Sequence, residues 1–248
     1  MVLESLQQAL DQRDAKQSRR RLTIPSPGAA DFSSNDFLSL SNSALFKSRY
    51  LQKLTACLPT LGVGSGGSRL LDGNCQFAED LEKFVASFHD APEGLLFNSG
   101  FDANVGVFSC VPQPGDVIVY DELIHASVHE GMRLSRATTT LQFKHNSVDD
   151  LERVLLQGLG KGNVFVAVES LYSMAGDVSP LKEIVDVVKK FRAYLIVDEA
   201  HATGVFGPNG AGVVQELGIQ KDVFLRTHTF GKALASQGGS STSYLENC

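Results

Sequence analysis

Short apolar runs recur along most of the chain, with helical stretches between most of them. GLLFN (94–98), DVIVY (116–120), TTTLQF (138–143), VFVAVES (164–170), AYLIVDEAH (193–201) and DVFLRTH (222–228) read as strands. Several are nearly continuous in apolar residues, a pattern that fits a sheet covered by helices on both faces. Helices are expected at 126–134, 148–156 and 181–191, the last with Ile184, Val185 and Val188 on one face. Strand alternating with helix predicts an α/β fold built on a mostly parallel, doubly wound sheet.

Upstream of these runs, Leu3, Leu6 and Leu10 share a helical face, so residues 2 to about 20 read as an amphipathic arm. The turn-rich TIPSPGAADFSSND separates the arm from the body. Helices are expected at 43–58 and 75–88, and in the second Phe77, Leu81, Phe84, Val85 and Phe88 keep the 3.6-residue period. Between them lies the glycine-rich GVGSGGSRLLDGN.

Composition narrows the function. The 248 residues are 43% hydrophobic and carry a net charge of −6, which suits one large domain with a sizeable core. Lysine and arginine number 22 against 28 acidic residues, so no nucleic-acid partner is expected. The basic run KQSRRRL (16–22) reads as the solvated end of the first helix rather than a phosphate or membrane contact. No window is apolar enough to span a bilayer, and the N-terminus lacks signal- and transit-peptide features; a cytoplasmic location is expected. Cys57, Cys75, Cys110 and Cys248 form no C-x-x-C pair and read as free thiols, with no zinc framework.

In doubly wound sheets the ligand sits beyond the C-terminal strand ends. FNSG, YDELIH, ESLYS, VDEAH and RTHTFGK all fall there. Other motifs fail on context. Gly62, Gly64 and Gly67 match G-x-G-x-x-G, but no strand precedes them and no helix opens on the last. Gly231–Lys232 lacks the upstream glycine and following hydroxyl residue of a phosphate loop. His125 and His129, with Glu130, have the spacing of a weak metal site, and no metal is expected.

A lysine after a strand, Lys232, and a carboxylate ending another, Asp198, suggest pyridoxal phosphate. That cofactor needs an amine for its aldehyde, an acid for its ring nitrogen and a phosphate cup. A partly desolvated lysine has a lowered pKa and becomes nucleophilic. NSGF (98–101) leads a strand into a helix, whose first amides suit an anion.

The motifs SSNDFLSL, GVGSGGSRLLDGN, FNSGFDAN, HASVHEGMRLS, FKHNS, ESLYSMAGDVSPL, VDEAHATGVFGPNGAG and THTFGKAL resemble those of the α-oxoamine synthases. These belong to the pyridoxal-phosphate-dependent class II aminotransferase group, of fold type I. The resemblance runs from about Asp31 to Lys232. It implies that Lys232 binds the cofactor aldehyde, Thr229, Gly100 and Phe101 hold its phosphate, and Asp198 pairs with the ring nitrogen. It further implies that His201 bonds the ring hydroxyl, His125 stacks on the ring, and Ser173 and Glu169 lie near the cofactor. Asn35 is placed near the substrate. Lys232, His125, Asp198 and His201 would be the catalytic set.

The activity so implied is decarboxylative condensation of an amino acid with an acyl-CoA, in a homodimer. The biotin-pathway branch, which joins L-alanine to a pimeloyl thioester, matches best; glycine acyltransferase and serine palmitoyltransferase are alternatives on the same fold. Another is an inactive fragment or partner subunit. The domain division expected is an N-terminal arm and linker (1–40), a cofactor-binding large domain (41–236) and an atypical tail (237–248).

Family members continue past the lysine with an apolar strand flanked by glycines and then a small C-terminal domain. Here LASQGGSSTSYLENC follows instead, and Ser147 and Ala175 stand where the family usually has Asp. The last dozen residues contain almost no apolar run, so the expectation is a truncated chain with no buried strand after Lys232 and an unpaired edge in its sheet.

Overall fold

The computed structural model describes every residue except Met1, Pro27, Val63, Leu159, Lys161 and 245–248, so Cys248 lies outside it. Two compact units are present, 1–34 and 35–248. The first holds helix α1 (Val2–Ala15), none of whose residues is buried. Beyond it, Arg19 pairs with Asp14 at 2.7 Å, and the Asp31 carboxylate accepts from the amides of Ser33 and Ser34.

The second unit opens with α2 (Ala44–Cys57) and α3 (Gln76–Phe88). Strand and helix then alternate: β1 (Glu93–Phe97), α4 (Gly100–Cys110), β2 (Val117–Asp121), α5 (Ala126–Leu134), β3 (Thr139–Phe143), α6 (Val148–Gly158) and β4 (Val164–Glu169). They are followed by α7 (Leu181–Phe191), β5 (Tyr194–Asp198), the short α8 (Val213–Glu216), β6 (Leu225–Thr229) and β7 (Gly239–Ser243). The strand order is β1-β7-β6-β5-β4-β2-β3. From β6 to β3 all pairings are parallel, whereas β7 is antiparallel to both neighbours.

Alternation along each strand divides the core in two. Val117, Val119, Val166, Val168, Leu195 and Val197 pack with α6, α7 and α8 through Leu151, Leu155, Ile184, Val188 and Val214. Ile118, Phe165, Ala167, Ile196 and Leu225 pack on the opposite face with Val107 and Phe108 of α4 and Val128 of α5. Helices on both faces explain why these strands tolerate apolar residues at every position. The doubly wound α/β reading of the sequence holds.

Two expectations need correction. The first concerns the region after Lys232. A strand does follow it, and β7 lies inside the sheet between β1 and β6 with all five residues buried. Its sequence, GSSTS, has no apolar residue, so a search for apolar runs cannot find it. Backbone pairing on both sides, from Glu93↔Ser243 to Thr229↔Gly239, satisfies its amides and carbonyls instead. The expected open edge next to β6 is therefore closed. The second concerns α3, whose periodic stripe is buried only in part: Val85 is buried, while Phe77, Phe84 and Phe88 are 48%, 66% and 36% exposed.

Candidate active site

Strand register brings the chemistry together. Glu169 and Asp198 are paired neighbours at the ends of β4 and β5, and Asp198 is in register with Thr227 of β6. Lys232 lies in the loop that joins β6 to β7. Hydrogen bonds from Ser236 N to Phe230 O (2.8 Å), Ala235 N to Lys232 O (2.9 Å) and Phe230 N to Gly238 O (3.0 Å) close that loop. The lysine stands beyond a strand end because a hairpin turns there.

The resulting cavity has a volume of about 180 Å³. Gly100 and Phe101 of α4, His125, Glu169, Asp198, His201, Thr229 and Lys232 line it, together with Ser99, Asn104, Ser127 and Ala200. Two of the residues singled out in the sequence are not part of this lining. Ser173 faces Glu169 through its backbone amide, and Asn35 is exposed and not part of the lining. Phe37, two residues on, places its ring 5.7 Å from that of His201. His129 packs edge-on against Tyr120, at 5.3 Å, and also lies outside the lining.

The N-terminus of α4 forms another wall, packed against the end of β6. Ser99 caps the helix, accepting from the amide of Asp102 at 3.0 Å. The amides of Gly100 and Phe101 in the first turn have no intrahelical acceptor and suit an anion. Close approach of this helix to β6 requires glycine: a Cβ on Gly100 would lie 2.9 Å from the Cβ of Thr229. Gly239 of β7 is equally constrained, since a Cβ there would fall 2.6 Å from the Gly100 nitrogen.

Electrostatics prepare the groups for proton transfer. Burial lowers the Lys232 pKa, opposed by the charges of Asp198 and Glu169. Burial and then the Asp198 charge push Glu169 up to about 8, so it carries its proton at neutral pH. Its Oε1 is buried with no hydrogen-bond partner among the described residues. Burial, then Lys232, brings His201 down to about 4, and burial also lowers His125; both rings are neutral at pH 7.

Asp198 accepts from Asn104 Nδ2 at 2.6 Å and from the Ala200 amide at 2.8 Å. His125 Nδ1 meets Ser127 Oγ at 2.7 Å and the Ser127 amide at 3.2 Å. Asn104 and Ser127 were not singled out in the sequence. Both sit inside motifs that were, FNSGFDAN and HASVHEGMRLS. Asn104 lies one helical turn beyond Gly100, and that i, i+4 spacing was the available signal.

A nucleophilic amine, a carboxylate fixed by two donors, two neutral imidazoles and a helix N-terminus converge on one cavity. That arrangement suits an aldehyde cofactor bearing a phosphate and a basic ring nitrogen. The tight Gly100–Thr229 approach and the unpartnered Glu169 oxygen are the structural features that agree with such a ligand.

Residues 28–244 match the family model described as aminotransferase class I and II. The chain belongs to that family, and its fold is that of the fold-type-I pyridoxal-phosphate enzymes. It is 58% identical over 247 residues to 8-amino-7-oxononanoate synthase of Emericella nidulans, an alignment covering 95% of this chain and 60% of the relative. Among solved structures it is similar to serine palmitoyltransferase from S. paucimobilis with a bound PLP–myriocin aldimine. There the TM-score is 0.79 at 32% identity, over 86% of this chain and 52% of the other. It is also similar to 8-amino-7-oxononanoate synthase from Francisella tularensis, with a TM-score of 0.70 at 27% identity over 87% and 58% of the two chains. The chain spans 53% to 60% of the length of three of its curated relatives.

Proposed function

We propose that this chain carries the pyridoxal-phosphate site of an α-oxoamine synthase, an acyltransferase that condenses an amino acid with an acyl-CoA and releases carbon dioxide. L-alanine and a pimeloyl thioester, the substrates of the biotin pathway, are the pair favoured by the 58% identity to a fungal 8-amino-7-oxononanoate synthase. The observation that carries the reading is the convergence of Lys232, Asp198 and His125 on the N-terminus of α4.

When bound, pyridoxal phosphate supplies an electron sink for a carbanion at the amino acid's Cα. Lys232 would have two tasks: its amine, with a pKa lowered by burial, would hold the cofactor at its aldehyde carbon and would serve as the base for the Cα proton. Asp198 would pair with the ring nitrogen and keep it protonated. His125 would hold the ring face and His201 the ring hydroxyl. The first amides of α4 and the Thr229 hydroxyl would hold the phosphate. Glu169 would line the approach to the ring, with Ser173 behind it, its backbone amide turned to the Glu169 carboxyl. Glu169, protonated at neutral pH, would add no charge of its own beside the ring.

A second copy of the chain is the proposed partner. Leu45, Tyr50 and Leu51 of α2 are 63%, 58% and 59% exposed, and no residue of α2 is buried. Exposed apolar side chains around an unburied helix suit a subunit contact. No described helix is long and apolar enough to cross a membrane, and we assign the enzyme to the cytoplasm. The likeness to serine palmitoyltransferase favours one alternative, a synthase of the same class that takes L-serine and a longer acyl-CoA.

Titration of the purified chain with pyridoxal phosphate tests the reading. We expect a visible absorbance band, with borohydride fixing the cofactor on the peptide that contains Lys232. Lys232→Ala should abolish the fixed adduct and leave the fold largely intact. A reducible chromophore persisting in that variant would sink the assignment. Turnover with alanine and pimeloyl-CoA, set against serine and palmitoyl-CoA, separates the two substrate readings.

A further inference from the structure

Helix α4 carries a polar side chain one turn inside its N-terminus, and it is buried. Asn104 is 3% exposed. Its Nδ2 donates to Asp198 Oδ2 at 2.6 Å and to Ser127 Oγ at 2.9 Å, and its Oδ1 accepts from Thr227 Oγ1 at 2.8 Å. A carboxylate only accepts, so the amide nitrogen must face Asp198, and the Thr227 hydroxyl then donates to the carbonyl side. Both N–H groups and one of the two oxygen lone pairs of this amide are therefore used, and its orientation is fixed.

The network continues to the imidazole. Ser127 Oγ accepts a hydrogen bond from Asn104 Nδ2, and its own hydroxyl hydrogen is left for His125 Nδ1, which also accepts from the Ser127 amide. On the neutral ring the proton then sits at Nε2. The same helix is docked on β6 by two rungs. Thr227 and Thr229 point to one face of the strand; Thr227 bonds Asn104, and Thr229 abuts Gly100. One helix thus reaches the phosphate end of the cavity through its first amides and the carboxylate end through Asn104.

We propose that Asn104 is a positioning residue, whose single amide holds Asp198 in the rotamer that faces the cavity and couples it to His125 through Ser127. The Ala200 amide holds the other Asp198 oxygen, so each oxygen has one donor. Loss of Asn104 frees the oxygen on the α4 side and leaves the carboxylate able to rotate away from a ring nitrogen. This consequence for chemistry rests on the pyridoxal-phosphate reading; the hydrogen bonds do not.

The test has two readouts. The first uses the cofactor-free chain labelled with ¹⁵N-asparagine, with the Asn104 signal identified by its loss in Asn104→Leu. Both Nδ2 protons should exchange slowly with solvent, Ser127→Ala should shift one, and Asp198→Asn should shift the other. If neither variant moves a proton, or both move the same one, the network is overturned. These two variants carry the test even if Asn104→Leu does not fold, since the remaining asparagines can be assigned by exposure to solvent.

The second readout uses pyridoxal phosphate labelled with ¹⁵N in its ring. In Asn104→Leu we expect affinity about tenfold weaker, from the loss of one hydrogen bond to a charged group. The ring nitrogen of the bound fraction should lose part of its proton, whereas in Ser127→Ala it should stay as in the unaltered chain. A merely structural role would weaken binding without changing that nitrogen, and full protonation in Asn104→Leu at saturating cofactor overturns the proposal. Absence of a borohydride-fixed adduct in the unaltered chain overturns the cofactor reading instead, and the asparagine signals still decide the network.

Discussion

Two parts of one sheet are buried to the same extent and held by different forces. In β2, β4 and β5 the interior is Val117, Ile118, Val119, Val166, Ala167, Val168, Leu195, Ile196 and Val197, each at most 1% exposed. In β6 and β7 it is Arg226, Thr227, His228, Ser240 and Thr242, each at most 2% exposed. The apolar part is stabilised by surface removed from water, about 25 cal/mol per Å², with little demand on direction. The polar part must pair its groups one by one.

It does so through specific partners. Arg226 Nη2 donates to the carbonyl of His89, whose ring stacks on His228 with centroids 3.6 Å apart. His228 meets Thr203 Oγ1 at 2.9 Å and Thr242 Oγ1 at 3.2 Å. Two atoms, Arg226 Nη1 and Ser240 Oγ, find no partner among the described residues. Directional bonds fix register more tightly than apolar contacts, and the polar part is the one that carries Thr227, Thr229 and the Lys232 loop. The apolar part contributes Glu169 and Asp198 from its strand ends.

Ile196→Ala attacks the apolar part and should have the largest effect. Truncating this buried side chain should cost about 2–5 kcal/mol, read from the urea midpoint at constant slope. A loss below that range would mean the apolar strands repack freely. Thr242→Val attacks the polar part while nearly preserving shape. It leaves His228 Nε2 facing a methyl group, and a cost of about 1–3 kcal/mol is expected. Were the variant more stable than its parent, the polar strands would be tolerated rather than required. The reciprocal change Val197→Thr, at 0% exposure, should also destabilise, because β5 offers its hydroxyl no prepared partner.

The smallest effect is expected at the far edge, where water helps. His145 Nδ1 meets Asp121 at 2.8 Å and Nε2 meets Asp177 at 2.7 Å. Burial opposes its charge, but the hydrogen bonds to Asp121 and Asp177 prevail and raise its pKa. A raised folded value means the stabilisation is complete below the ordinary histidine pKa and disappears as pH climbs through the folded one. Stability measured from pH 5 to 9 should therefore fall across that window, and His145→Asn should flatten this part of the profile. The exposure of Asp177 keeps its share of the effect modest. An unchanged profile would confine the pH-sensitive polar pairing to the interior groups.

Much of the architecture was legible because its signals are local. Six strands and the helices between them follow from runs such as VIVY and YLIV and from the spacing of Ile184, Val185 and Val188. The residues around Lys232, Asp198, His125 and Gly100 were legible too, as polar groups at successive strand ends. Legibility failed where burial depends on what the chain meets elsewhere. The stripe on α3 has the right period, yet Phe77 and Phe84 border an open groove with Leu96, Phe97, Phe230 and Leu234. Asn104 reads as an ordinary polar residue in a helix until Asp198, Ser127 and Thr227 are brought around it.

Alternating periodicity, set by the chain alone, determined that strands and helices would form a doubly wound sheet with its ionisable residues along one edge. Side-chain period and apolar content are properties of neighbours in sequence, and they survive without knowledge of the fold. The position of β7 was decided only in three dimensions. GSSTS has nothing that favours burial by itself; the hairpin loop around Lys232 delivers it to the gap between β1 and β6, where two ladders of backbone hydrogen bonds hold it. Hydrogen bonds between distant segments have no periodic signature, and only the tertiary structure states which donor meets which acceptor.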